Sequence, residues 1–104
     1  MNKIDIVIKI LDDSKAKDIL NLAVDQFTSI ADNMVICTAT SNRHAKAISD
    51  KLLRQLKTCG YKSIGVTGLE DCQWILLDCN EVIVHIMLQE SRDFYQLENL
   101  WQQK

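Results

Sequence analysis

Hydrophobic positions along the chain follow two rhythms, a strand-like alternation and a helical stripe, and these divide it into successive elements. At the start, Ile4, Val7, Ile8 and Leu11 fall on a helical stripe, while Ile4, Ile6, Ile8 and Ile10 alternate equally well as a strand. Periodicity leaves that segment undecided, and Asp12, Asp13 and Ser14 end it. "DILNLAV" (18–24) sets Leu20, Leu22 and Val24 against Ile19, Asn21 and Ala23, which predicts a strand. "NMVICTAT" (33–40) is β-branched and almost wholly apolar, which predicts a central strand buried on both sides.

A helix follows over "SNRHAKAISDKLLRQLKTCG" (41–60). Ser41 supplies the N-cap, Ala45, Ile48, Leu52, Leu56 and Cys59 form the stripe, and Gly60 stops it. Its opposite side carries Arg43, Lys46, Asp50, Arg54 and Lys57, read most simply as a solvated surface. "KSIGVTG" (62–68) predicts a short strand, and Asp71–Leu88 reads as a hairpin. "SRDFYQLENLW" (91–101) closes the chain as a helix capped by Ser91, with Phe94, Leu97 and Trp101 on one stripe. The expected order is helix, strand, strand, helix, three strands, helix: a mixed sheet with helices packed on it.

The hairpin "DCQWILLDCNEVIVHIML" has unequal sides. A two-residue turn at Asn80-Glu81, where Asn tolerates positive φ, sets Cys79 opposite Val82, Leu77 opposite Val84 and Ile75 opposite Ile86. One side then holds Ile75, Leu77, Val82, Val84 and Ile86, an aliphatic surface that belongs against helices. The other pairs Trp74 with Met87, Leu76 with His85 and Asp78 with Ile83. A buried side seldom holds an unpaired Asp, and a solvated one seldom holds Trp and Met, so this mixture marks a binding surface. On this reading Trp74 and Asp78 are binding determinants rather than fold determinants. The plainer reading also stands: His85 as a hydrogen-bonded core histidine and Trp74 as ordinary packing.

Size and composition narrow the function. The chain has 104 residues, which fits one domain over 1–104 because a second core would have too few residues to close. A net charge of −2 gives no general attraction for nucleic acid or anionic membranes. No apolar run approaches a membrane span, and "MNKIDIVIKI" carries charges where a signal core would be apolar. Cys37, Cys59, Cys72 and Cys79 lack the clustered spacing of a zinc site and read as buried free thiols in a reducing cytoplasm. No nucleophile-turn signature accompanies His44 or His85, which argues against a hydrolase. The three glycines stand apart at 60, 65 and 68, so no phosphate-binding glycine loop exists. A basic stripe with interleaved aromatics, as nucleic-acid recognition requires, is missing as well. Ser41, Arg43 and His44 open a helix, where free amides can hold an anion, although capping explains Ser41 more cheaply.

"SIADNMVICTATSNRHAKAIS" (29–49) and "WILLDCNEVIVHIMLQESRDFYQLENLW" (74–101) resemble the two signature blocks of the Iojap, or ribosomal silencing factor (RsfS), family. Matching positions include Ser29 through Asp32, Thr40-Ser41, Arg43-His44, Trp74, Asp78, Val84-His85, Arg92, Tyr95, Leu97-Glu98 and Trp101, and the similarity runs from "KAKDILNLAV" onward. The chain departs from the pattern at Asn33, where the family often has an apolar residue, at Ala39 and Asn80, where glycine is frequent, and at Thr67, where glutamate is usual. The resemblance implies a single small α/β domain, a mixed five-stranded sheet similar to nucleotidyltransferases but without their catalytic carboxylates. It resolves Ile4–Leu11 as helix. It implies a cytoplasmic, non-catalytic factor with no cofactor, a monomer or weak homodimer. Such a factor binds ribosomal protein L-fourteen on the large ribosomal subunit and blocks joining of the small subunit when nutrients are scarce. Trp74, Leu76, Asp78, His85, Met87, Arg43 and His44 are the expected partner-binding residues. The rival is a degenerate nucleotidyltransferase-like protein holding a nucleotide near Ser41–His44, for which Asp32 alone is too few carboxylates to place a divalent metal.

Overall fold

The computed structural model describes residues 2–61, 64–97 and 99. Its elements are α1 (Lys3–Asp13), β1 (Lys17–Ala23), β2 (Asn33–Ala39), α2 (Asn42–Thr58), β3 (Gly65–Thr67), β4 (Trp74–Asp78), β5 (Val82–Leu88) and α3 (Gln89–Tyr95). The strands form one five-stranded sheet in the order β1-β2-β5-β4-β3. Only the central β2–β5 pair is parallel; the others are antiparallel. That makes it the mixed sheet the pattern predicts.

One side of the sheet carries α1 and α2. Val7, Ile10 and Leu11 of α1 and Ala45, Ile48, Leu52 and Leu56 of α2 are buried against Val35, Cys37, Ile75, Leu77, Val84 and Ile86. The α1 stripe settles its ambiguity: a helix brings Val7, Ile10 and Leu11 to one side, whereas strand alternation would separate Val7 and Leu11 from Ile10. Asn2 caps α1 by accepting the Asp5 N–H at 3.1 Å, and Ser41 caps α2 by accepting the His44 N–H at 3.0 Å. Lys3 ties the start of α1 to the hairpin turn. Its Nζ donates to the Cys79 carbonyl at 2.7 Å and to Glu81 Oε1 at 2.6 Å, and it lies 4.6 Å from the Tyr61 ring centre. The ammonium holds the Glu81 carboxyl below the usual carboxylate range.

The other side has a smaller cluster of Val24, Ala31, Met34, Ile36 and Met87, joined by Leu22, Trp74, Ile83 and Leu97. β2 therefore contributes Met34 and Ile36 to one side and Val35, Cys37 and Ala39 to the other, buried on both as its composition predicts. The second side is roofed by the β1–β2 connection and by α3 rather than by long helices. Arg92 anchors that roof. Buried at 9% exposure, its Nη1 donates to the Asp18 carbonyl at 2.7 Å and to Thr38 Oγ1 at 2.8 Å. Asp18 sits in a β1 irregularity with φ 49°, where its carbonyl leaves the ladder and takes the guanidinium instead.

The ends of the chain depart from expectation. Ser91 does not cap the last helix; α3 begins at Gln89, directly after β5, with Leu88 at the N-cap position and no side-chain cap. Phe94 is not on a buried stripe but 80% exposed, because Arg92 takes the inward position of this short helix. Gln96, with φ 48°, ends α3, and Trp101 lies outside the described residues. β3 spans only Gly65–Thr67, and Lys62 and Ser63 of the expected strand also lie outside them. Cys37, Cys72 and Cys79 are buried, but Cys59 is exposed, since it follows the last turn of α2 instead of continuing its stripe.

Candidate functional site

The hairpin closes through the Cys79 N–H, which donates to the Val82 carbonyl at 2.9 Å and leaves Asn80 and Glu81 as the turn. Asn80 has φ 73°, and its N–H donates to Asp78 Oδ1 at 3.1 Å. The register is the expected one: Trp74 opposite Met87, Leu76 opposite His85, and Asp78 opposite Ile83. Ile75, Leu77, Val84 and Ile86 are fully buried under α1 and α2.

The mixed side is not uniformly open. Its β4 members face outward: Asp78 is exposed, and Trp74 and Leu76 are half-buried. Of its β5 members, Ile83 is half-buried, but His85 is 5% exposed and Met87 fully buried. Met87 and His85 therefore present almost no surface and instead pack behind Trp74. The reason is position in the sheet. β5 lies between β2 and β4 beneath the roof, whereas β4 has only the three-residue β3 beyond it.

Trp74 is held from two directions. Its Nε1–H donates to His85 Nδ1 at 2.9 Å, and Tyr95 of α3 lies against it with ring centres 4.6 Å apart at 48°. Since Nδ1 accepts, the proton of the neutral imidazole is on Nε2, which is buried and meets no hydrogen-bond partner among the described residues. Burial pushes the His85 pKa down to about 4, so the ring is neutral at physiological pH. His85 is thus the hydrogen-bonded core histidine of the plainer reading, with a partner that reaches the surface. Trp74 consequently carries part of the fold as well as surface, and the expectation that it is no fold determinant is corrected by these two contacts.

Beside Tyr95, Phe94 packs edge-on with ring centres 4.9 Å apart. The two aromatic residues extend the surface begun by Trp74, Leu76 and Asp78, with Glu90 and Asp93 bordering the same cleft. They were absent from the expected site. No local signal marks them, because their exposure follows from Arg92 taking the inward position of α3.

Arg43 and His44 lie elsewhere. α2 packs on the other side of the sheet from Trp74, and its first turn borders a cleft of about 440 Å³ with Lys15, Lys17, Thr40 and Ser41. Arg43 is exposed there. His44 is spent internally: Nδ1 accepts the Thr40 N–H at 3.0 Å, and Nε2–H donates to the Ser14 carbonyl at 2.9 Å, joining α2 to the α1–β1 turn. The expected set of seven thus divides into a partly exposed group on β4, two buried residues on β5, and a separate pair at the start of α2.

Fold and surface define a class: a small α/β domain whose sheet is clad by two helices on one side and displays aromatic and acidic side chains on the other. Among the described residues no group of three or more His, Cys, Asp or Glu is placed to hold a metal ion. A family model described as "Ribosomal silencing factor during starvation" matches residues 1–104. The Haemophilus influenzae ribosomal silencing factor RsfS is 40% identical over 101 residues, covering 97% of this chain and 99% of that protein. A Chromobacterium violaceum crystal structure superposes with a TM-score of 0.92 at 37% identity, covering all of this chain and 89% of that one. A mouse protein named "Mitochondrial assembly of ribosomal large subunit protein 1" is 31% identical over 101 residues, which are 94% of this chain and 44% of that one. The chain belongs to the ribosomal silencing factor family.

Proposed function

We propose that this protein silences translation by occupying the large ribosomal subunit through ribosomal protein L-fourteen and obstructing the small subunit, without catalysing a reaction and in the cytoplasm. The single observation carrying this reading is family membership across the whole chain. The mouse relative, whose name refers to the large ribosomal subunit, supports the choice of subunit. The surface of Trp74, Leu76 and Asp78, continued by Tyr95 and Phe94, supports the mode of contact. An aromatic anchor beside carboxylates suits a basic protein partner, whose lysines and arginines complement Asp78, Glu90 and Asp93. A net charge of −2 discourages indiscriminate attachment to ribosomal RNA, leaving selection to a protein surface.

Sedimentation of a tagged chain tests this. It should travel with free large subunits and be depleted from polysomes, because occupancy and subunit joining exclude each other. Equal recovery from both fractions overturns the proposal.

A further inference from the structure

We propose that His85 is a positioning residue for partner binding: its Nδ1 accepts the Trp74 indole N–H and holds that ring in the orientation the partner meets. This rests on the reading of the Trp74 face as the binding surface.

The geometry is particular. Trp74 pairs directly with Met87 and His85 with Leu76, so Trp74 and His85 are diagonal neighbours across β4 and β5. Diagonal neighbours reach each other only through large side chains. These rings do so, with centres 5.8 Å apart at 47° and the Nε1–Nδ1 distance 2.9 Å. Tyr95 also lies against the indole, with ring centres 4.6 Å apart. A half-buried indole held between a hydrogen bond and a second ring loses little rotamer freedom on docking, so more of its contact energy reaches affinity.

The chemistry of the buried position points the same way. His85 is buried at 5% exposure directly opposite Ile36 of β2, on the side of the sheet that holds Met34 and Met87, where a leucine would bring no polar atoms. The imidazole instead brings two ring nitrogens into that apolar surrounding, and Nε2–H meets no partner among the described residues. What it supplies in return is the Nδ1 lone pair, on which the indole of Trp74 draws. The depressed pKa, about 4, keeps the lone pair free of a proton.

The test compares His85→Leu, which removes the acceptor, with His85→Asn, which returns an oxygen near the Nδ1 position, in ¹⁵N-labelled full-length protein. The chain has two tryptophans, and Trp74→Phe assigns the Trp74 indole resonance. In the parent that resonance should be hydrogen-bonded and protected from exchange. His85→Leu should shift it and speed its exchange at least about tenfold, and weaken binding to purified large subunits about tenfold, ~1.4 kcal/mol. His85→Asn should restore both to within about threefold. A purely structural role predicts that both variants lose melting temperature and affinity together, with no tie to the indole signal. An unchanged indole resonance in His85→Leu overturns the inference, as does parent affinity once the bond is lost or a failure of His85→Asn to rescue. If Trp74→Ala binds as tightly as the parent, the surface reading itself falls and takes this inference with it. If Trp74→Ala loses binding while His85→Leu does not, only the inference falls.

Discussion

Leu77 and Asp78 are consecutive residues of β4 that point to opposite sides of the sheet, and replacing them should separate folding from binding. Leu77 is fully buried, between Val66 of β3 and Val84 of β5, and packs in the cluster under α1 and α2. Leu77→Ala removes the branched end of the side chain and leaves a cavity that this closely packed layer fills only partly. Such truncations cost about 2–5 kcal/mol, and about 3 kcal/mol is reasonable here. For a domain of this size each kcal/mol moves the melting temperature by about 4–6 °C, so the variant should melt about 12–18 °C early. Asp78 is exposed, and its side chain accepts the Asn80 N–H at 3.1 Å. Asp78→Lys gives up that turn bond, about 0.5–1.5 kcal/mol, and should melt only a few degrees early. Its affinity for L-fourteen should fall at least about tenfold, because lost attraction is joined by repulsion from a basic partner. Leu77→Ala, assayed well below its melting point, should bind as the parent does. Circular dichroism melts and titrations with purified L-fourteen provide both measurements. The reasoning is refuted if Asp78→Lys melts as early as Leu77→Ala, or if Leu77→Ala keeps the parent melting temperature. Trp74→Ala is a less clean probe, because its indole also bonds His85 and packs on Tyr95.

Other expected outcomes follow from the same structure. Native protein treated with an alkylating reagent near pH 8 should be modified quickly at Cys59 alone, because Cys37, Cys72 and Cys79 are buried and burial raises the Cys37 and Cys79 thiols to about 12 and about 11. Peptide mass spectrometry reads the sites, and rapid labelling of Cys37 contradicts the packing. Gly68→Ala should cost more than about 2 kcal/mol, seen as a lower urea midpoint: Gly68 has φ +91°, and a Cβ there would overlap the Trp74 carbonyl. Gly60→Ala, at φ +97° but with open space around it, should cost less. Stability should also fall with acid through His85. Its folded pKa of about 4 lies below the ordinary 6.5, so its contribution is whole above about 6.5 and is lost as pH drops toward 4, by up to ~1.4 kcal/mol per pH unit. Urea midpoints at successive pH values, compared with His85→Asn, isolate this loss, and equal slopes in the two proteins refute it.

Alternation and turn chemistry are local properties, and what depended on them was legible in the sequence. Asn80-Glu81 set the hairpin turn, and a pleat of period two then assigned Ile75 and Leu77 to one side and Trp74, Leu76 and Asp78 to the other. Ser41 and the stripe through Leu56 marked α2, and the unbroken apolar run of β2 announced burial on both sides. Where two periods fitted equally, as at Ile4–Leu11, the residues could not choose, and packing against α2 and the sheet did. Which side of the sheet is covered, and how far, is not a local property. His85 and Met87 share a side with Trp74 and Asp78, yet β5 came to lie between β2 and β4 under a roof built from the β1–β2 connection and from α3, outside the hairpin. Arg92 shows the same limit: its place inside, and therefore the exposure of Phe94 and Tyr95, depends on a carbonyl at Asp18 and a hydroxyl at Thr38 that only the assembled sheet brings within reach. A residue's side of a strand follows from its own neighbours, but its burial depends on what the rest of the chain lays over it.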